Sequence, residues 1–433
     1  MSVGPEDTRY PPGKAFAWGL QHVLTMYGGI IAPPLIIGAA AGLNASLLGM
    51  LVTAALLQAL GLPGFGARLP LVQGVSFAGV ATMVTLVTGG GGLPVVFGAV
   101  IASSLIGLLM TPLFAHIIRF FPPLVTGTVI AVIGLSLMPV AARWAMGGTP
   151  QLPGWGSPHH IGLAALTLAL VLLFNRVGNA AIKRLAVLLA MAVGTVIALF
   201  TGQANFSAVA QGAWLALPGV LNFGMPVFDV AAIVSMTLIV LVLLTETTAG
   251  LLAIGDIIGS EVDGRRITRG LRADMLTSAL APLFNSFPQS AFAQNIGLVA
   301  MTGVKSRFVV AAGGVILLLL GFLPILGRVV ASIPMPVLGG AGVVLFGTVA
   351  ASGIRTLAKV DYKDNMNLVI VATSIAFGMI PIVMPSFYDQ FPGWVRTIFH
   401  SGISAACLIS VTLNLLFNRV KAPDAEKAIT PAG

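Results

Sequence analysis

The sequence predicts an all-α polytopic membrane protein with fourteen membrane segments, arranged as two inverted repeats of seven. Three observations carry this prediction. The 433 residues are 57% hydrophobic and 8% charged, with a mean hydropathy of +1.01, which is the composition of a chain that lives in lipid. The basic residues lie in short loops between apolar runs, and two sequence echoes recur at a nearly constant spacing.

Apolar runs occur along the whole chain, and a membrane helix needs about 20 predominantly apolar residues. Twelve runs lie at about residues 15–40, 44–62, 69–88, 93–118, 122–142, 160–175, 185–201, 229–255, 308–327, 335–352, 365–384 and 397–418. A broken pair of shorter segments between Arg269 and Thr302 brings the number to fourteen. Seven segments per half is an odd number, so the second half would insert with the opposite orientation.

Lysines and arginines give an independent indication of topology. With the N-terminus in the cytoplasm, 19 of the 22 basic residues fall inside and only Arg143, Arg328 and Arg396 fall outside. This asymmetry predicts a multi-pass protein of the cell (inner) membrane with both termini cytoplasmic. It also accounts for the net charge of +9 without a nucleic-acid partner. Cys407 is the single cysteine, which excludes an intrachain disulfide.

The two echoes indicate an internal duplication. Residues 76–79 resemble residues 291–294, with Phe77 and Phe292 offset by 215 residues, and residues 121–130 resemble residues 333–342, with an offset of 213. The Pro/Gly-rich stretches at 121–127 and 333–340 occupy matching positions. Their small residues predict a surface on segments five and twelve along which a rigid core slides.

Residues 285–307 concentrate amides, hydroxyls and a proline within an apolar chain. Pro288 removes a backbone donor and disfavours helix before it, while Gln294 and Asn295 place two amides side by side. This pattern predicts an extended approach and then a short helix that starts near mid-bilayer, which is tolerated only beside protein or a polar cavity. An interfacial loop is the alternative, but residues 272–305 are too few for two full spans and a loop.

Three titratable side chains lie within the apolar segments. Glu246 sits in an otherwise uncharged run, where an acid costs about 2.5 to 3.5 kcal/mol. Desolvation favours its neutral form, which suits a proton carrier; a neutral acid bonded to a backbone carbonyl is the structural alternative. Asp274 could pair with Arg272 or turn inward to brace a site, and His22 could be structural or functional. No metal-ligand cluster or nucleophile with its base accompanies them, so no enzyme, metal or cofactor is predicted.

Residues 294–302, Q-N-I-G-L-V-A-M-T, resemble the signature of the nucleobase/ascorbate transporter family. That signature reads Q/E/P-N-x-G, four further residues and then Thr. Further segments that resemble the family are Gln21-His22, Ser76-Phe77, E-T-T from Glu246, R-G-L-R-A-D ending at Asp274, and F-P-P-L-V-T-G from Phe121. The likeness covers essentially the whole chain.

The resemblance implies a core domain of residues 1–120 and 229–330 and a gate domain of residues 121–228 and 331–418, followed by a cytoplasmic tail, 419–433. In that fold segments 3 and 10 are each a short strand followed by a half-helix, and members are typically homodimers. Gln294 at the first signature position resembles the xanthine and uric acid branch. Gly250 departs from many relatives, which place an acid or histidine there, and this puts a second coupling group in doubt.

Residues and resemblance together predict a secondary transporter that imports a purine nucleobase, xanthine and/or uric acid, with a proton. The residues expected to meet the purine are Ser76, Phe77, Ala78, Glu246, Gln294 and Asn295. Glu246 would accept ring N–H donors and couple the proton, supported by His22 and Asp274. A sodium-coupled nucleobase or organic-anion transporter on the same fold is the main alternative. A channel is a weaker one, because the polar residues form isolated clusters rather than a continuous pore.

Overall fold

The computed structural model describes residues 4–41, 64–114, 121–148, 154–179, 182–183, 185–207, 209, 214–215, 219–323, 325, 329, 332–363 and 365–418. The predicted second run, 44–62, and the predicted tail, 419–433, lie outside the described residues. Within the described part, secondary structure is almost entirely helical, as expected for backbone that cannot bond to lipid.

The first half of the chain consists of helices interrupted by one strand. Its elements are α1 (Pro12–Ala40), β1 (Gln73–Val75), α2 (Val80–Leu86), α3 (Gly92–Met110), α4 (Pro123–Ser136), α5 (Met138–Ala145), α6 (Pro158–Val177) and α7 (Ala186–Phe200). A π turn at Val87–Gly91 kinks the chain between α2 and α3, where Gly90 has a φ of 92° and Gly92 a φ of 62°. Glycine adopts these left-handed values without steric cost.

A second strand interrupts the helices of the other half. The elements are α8 (Val230–Ile258), α9 (Gly264–Leu280), β2 (Gln289–Ala291), α10 (Ala293–Thr302), α11 (Arg307–Gly321), α12 (Met335–Leu357), α13 (Asn365–Val383), α14 (Gly393–Phe399) and α15 (Gly402–Phe417). The ten residues of α10 span about 15 Å, half of a bilayer core. The predicted strand followed by a short helix is therefore observed at both positions.

Six helices among the described residues are long and apolar enough to cross a membrane. They are Val80–Leu113, Pro123–Ala145, Pro158–Val177, Val230–Gly255, Met335–Leu357 and Met366–Val383. The chain is thus a mostly helical integral membrane protein.

The helices pack in two groups. In the first, α1 packs against α11, and α3 packs against α8 and α9. In the second, α12 packs against α4, α5 and α6, while α13 packs against α15. The two groups meet where α15 contacts α2 and α8.

Gly127 and Gly340 lie inside the second group. A Cβ added to Gly127 would be 2.9 Å from the Leu357 nitrogen on α12, and one added to Gly340 would be 2.2 Å from the Ala164 oxygen on α6. These glycines let helices of one group approach closely. The predicted sliding surface is therefore wrong at these two positions, because both are fixed between helices of the same group.

An N-terminal segment, residues 5–8, is bound to two distant loops; we refer to it as the N-terminal clip. Glu6 pairs with Arg266 at 2.6 Å, and Asp7 pairs with Arg307 at 2.6 Å. The Arg266 guanidinium also donates to Ala67 and Arg68 carbonyls, the Ser260 hydroxyl and the Glu261 carbonyl. The clip thus ties the chain start to the loops before β1 and after α8.

Candidate functional site

Strands β1 and β2 pair with each other, although roughly 200 residues separate them. The antiparallel register places Gln73 opposite Ala291, Gly74 opposite Ser290 and Val75 opposite Gln289. The Ser76 N–H donates to the Pro288 carbonyl and the Phe292 N–H to the Val72 carbonyl, both at 2.9 Å. This two-stranded ribbon brings the beginnings of α2 and α10 together.

Hydroxyl groups of α8 and α9 satisfy the outer edge of β2. The Ala291 N–H donates to Thr247 Oγ1 at 3.2 Å, and the Gln289 N–H donates to Ser278 Oγ at 2.9 Å. Thr247 in turn donates its hydroxyl to the Asp274 carboxylate. The ribbon, α8 and α9 are therefore joined by one continuous set of hydrogen bonds.

Asp274 faces inward from α9. It is completely buried and is bonded to Thr247, and it forms no ion pair with Arg272 or with any other described residue. Of the two predicted alternatives, the structure shows the bracing arrangement. One carboxylate oxygen of Asp274 orients a hydroxyl that supports the ribbon.

Glu246 precedes Thr247 on α8 and is half-buried. Within the part of the chain that the structure describes, its carboxyl has no hydrogen-bond partner. One turn further, a Cβ added to Gly250 would lie 3.0 Å from the Ala291 Cβ. An acid or histidine at Gly250 would therefore displace the ribbon, which is the physical reason for the glycine.

His22 supports the first turn of α10. Its buried side chain is hydrogen-bonded to the side chain of Asn295, which is also buried, and α1 packs against α10. A second ring nitrogen, Nδ1, is buried without a partner among the described residues. This geometry favours the supporting role that the sequence left open.

Ser76, Phe77 and Ala78 form the turn between β1 and α2. The Ala78 N–H donates to Ser76 Oγ at 3.1 Å, and the half-buried Phe77 ring meets Phe346 of α12 edge-on, with centroids 5.9 Å apart. The Asn295 N–H donates to the Phe292 carbonyl at 3.0 Å. A purine oxygen would have to replace these internal acceptors to bind the two N–H groups.

The backbone of Gln294 lies in the first turn of α10, one residue after its start. Its side chain lies outside the described part of the structure, so its predicted contact with the purine stays a prediction. In the described residues, no group of three His, Cys, Asp or Glu side chains could hold a metal ion.

The sequence did not reveal a cluster of buried hydroxyls between the two helix groups. This hydroxyl cluster consists of Thr82 on α2, Ser235 on α8, and Ser401 and Ser404 at the start of α15. Thr82 and Ser401 are 2.5 Å apart, and Ser235 and Ser404 are 3.2 Å apart. An N-cap pattern at residues 401–404 was the available sequence signal, since Ser401 accepts from the Ser404 N–H.

A polar site built on a ribbon between two short helices, inside a helical membrane protein, defines a membrane transport protein. A family model, Xan_ur_permease, described as "Permease family", matches residues 13–387. The chain belongs to this family, whose members are permeases rather than enzymes.

Relatives with printed names match nearly the whole chain. The uric acid transporter UacT of Escherichia coli (strain K12) is 40% identical, over 95% of this chain and 88% of the relative. The xanthine permease of Bacillus subtilis (strain 168) is 36% identical, over 94% of each chain. The fold is similar to the transmembrane domain of a cyanobacterium bicarbonate transporter, BicA, with a TM-score of 0.65, 15% identity, and coverage of 95% of this chain and 99% of that one.

Proposed function

We propose that this protein imports a purine nucleobase, xanthine and/or uric acid, by proton symport. The observation that carries the proposal is the identity of 36 to 40% to a xanthine permease and a uric acid transporter over nearly the whole chain. The lone carboxyl of Glu246 beside the ribbon supplies a matching chemical group. A carboxylate can accept ring N–H donors, and a carboxylic acid can carry the proton.

The remaining contacts follow from the chemistry of a flat, polar heterocycle. The Gln294 amide would donate to a ring carbonyl and accept from a neighbouring ring N–H. Phe77 would cover one face of the ring, with Ser76 and the N–H groups of Ala78 and Asn295 at its edge. The two helix beginnings would favour an anion such as urate, because their dipoles are positive there.

Two further groups would hold this arrangement rather than touch the purine. Asp274 fixes Thr247 and through it the ribbon edge, so its role would be to keep Glu246 and β2 in register. His22 bonds to Asn295 and would hold the beginning of α10.

Alternating access would move the first helix group against the second. We assign the first group to a core (residues 1–120 and 229–330) and the second to a gate (121–228 and 331–418), as two inverted repeats of seven segments. The contact between α15 and both α2 and α8 supports this division, because the hydroxyl cluster lies there. Small hydroxyl side chains can exchange partners as surfaces slide, which bulky apolar side chains cannot do without opening voids.

Location and assembly belong to the same proposal. The charge asymmetry of the loops supports the inner membrane with both termini in the cytoplasm. We infer a homodimer by analogy with the family, and no cofactor.

Uptake by purified protein in liposomes tests the proposal. Radiolabelled xanthine should accumulate under an inward proton gradient, and unlabelled urate should compete. Glu246→Gln should abolish accumulation, whereas Glu261→Gln, which alters an exposed acid just after α8, should retain it. Accumulation that survives in Glu246→Gln would remove this residue as the proton carrier. Accumulation driven only by sodium would favour the sodium-coupled alternative, and unsaturable leakage would favour a channel.

A further inference from the structure

Gln73 in β1 is a buried amide that the proposed site does not use. It is 0% exposed, and neither Nε2 nor Oε1 has a hydrogen-bond partner in the described residues. Buried amides are nearly always hydrogen-bonded, so an unpaired one in a native fold requires an explanation. Its cross-strand neighbour is Ala291, whose N–H is held by Thr247.

The side chain of Gln73 lies on the ribbon face that packs against α8. Directly opposite residues of an antiparallel pair share a face, so Gln73 and Ala291 point the same way. Ala291 faces α8, because its Cβ lies 3.0 Å from a Cβ added to Gly250. Glu246 is four residues before Gly250 and so lies on the same side of α8.

Gln73 and Glu246 also lie at the same level. The chain from Leu71 to Gly79 runs opposite to α8: a Cβ on Gly250 would be 4.0 Å from Leu71, and a Cβ on Gly79 would be 3.7 Å from Ile239. From Leu71, two strand residues advance about 7 Å. At 1.5 Å per helical residue this equals four to five residues of α8, which leads from Gly250 to Glu246.

We propose that Gln73 is a positioning residue whose amide hydrogen-bonds the Glu246 carboxyl during the transport cycle. An amide suits both protonation states, because Nε2 donates to a carboxylate and Oε1 accepts from a carboxylic acid. Glu246 would thus keep a partner when it gains or loses its proton in a dry environment. This inference rests on the proposed role of Glu246 as proton carrier.

Other titratable groups near this contact are already bonded. Asp274 on α9 is bonded to Thr247, and His22 on α1 is bonded to Asn295. Within the described residues, Gln73 is therefore the amide on the facing surface that remains available to Glu246.

A double-mutant cycle on melting temperature tests the pair without purine. Gln73→Met keeps the side-chain length and removes the amide, and Glu246→Met does the same for the carboxyl. We expect Gln73→Met to lower the melting temperature by about 2 °C or more when Glu246 is present and not to lower it in the Glu246→Met background. Gln289→Met is the control, because this amide lies on the same ribbon but bonds to the Phe287 carbonyl.

The second readout is the pH profile of xanthine uptake, which a merely structural amide would not move. Gln73→Met should shift its midpoint by about half a unit, a threefold change in proton affinity, while Gln289→Met should not. If Gln73→Met carries too little xanthine for a profile, Gln73→Asn, which retains an amide, takes its place. Equal melting changes in both backgrounds, or an unshifted profile, would overturn the inference. A wild-type protein without any purine uptake would refute the proposed function instead, and the melting cycle alone would then decide the pair.

Discussion

Replacing Glu6 by glutamine should destabilise the protein through the N-terminal clip. The ion pair with Arg266 is 2.6 Å long and its side chains are only 10% and 21% exposed, so solvent screens it weakly. Breaking one partner of a fully buried pair costs about 3 to 5 kcal/mol. Arg266 keeps carbonyl and hydroxyl acceptors here, which lowers the expected loss to about 1 to 3 kcal/mol, the range for a hydrogen bond to a charged group.

The effect should depend on pH in a defined direction. Burial raises the pKa of Glu6, but hydrogen bonds from Arg266, from its own backbone and from Ser260 outweigh burial and hold that pKa below the ordinary value of 4.5. A carboxyl whose pKa is lower in the folded state stabilises the fold above the unfolded pKa, and this contribution is lost as the pH falls through the folded pKa. The difference between wild type and Glu6→Gln should be constant from about pH 8 to pH 5.5 and should disappear in acid.

Thermal unfolding in detergent, followed by tryptophan fluorescence at several pH values, measures this difference. Glu6→Gln should melt a few degrees lower than wild type at pH 7. Glu261→Gln is the matched control, because Glu261 is an exposed acid in the adjacent loop, and the described residues contain no ion pair to it. A loss no larger than the control, or a loss that persists unchanged in strong acid, would refute the electrostatic account of the clip.

Three further substitutions test the site and the packing around it. Gln294→Glu should weaken xanthine competition about tenfold, because a carboxylate cannot donate to the ring as an amide does; unchanged competition would place the residue outside the site. Gly250→Ala should lower the melting temperature, since its Cβ would lie 3.0 Å from Ala291, whereas Gly162→Ala, with nothing within 4 Å, should raise or preserve it. Gly340→Leu should abolish purine binding and uptake together, because backbone lies 2.2 Å from its Cβ, while Gly347→Leu, facing the flexible Met138 at 3.6 Å, should be tolerated better; calorimetric binding that survives in Gly340→Leu would contradict this packing.

The sequence predicts the broken segments well because their signal is local. Pro288 and the amides at residues 294 and 295 interrupt an apolar pattern, and the structure places β2 and α10 there. The inward orientation of Glu246 is similarly local, since an acid in an apolar run has few tolerable environments.

Side-chain partners were harder to predict, as the sequence T-E-T-T illustrates. Thr245 and Thr248 bond to carbonyls one turn earlier in their own helix, whereas Thr247 bonds to Asp274. All three carry the same hydroxyl, and only the neighbouring helix distinguishes them. The glycines at 127 and 340 failed for a related reason, because a small residue indicates close approach but not which helix approaches.

The ribbon also constrains how the protein can be made. Strand β1 is synthesised roughly 200 residues before its only ladder partner, β2, which at 5 to 20 residues per second is about 10 to 40 seconds. During that interval the edge groups of Gln73–Val75 need water or another protein, because hydrocarbon offers no hydrogen bonds. The first half of the chain therefore completes its membrane integration only after the second half has emerged, and the interval exposes the nascent protein to quality control.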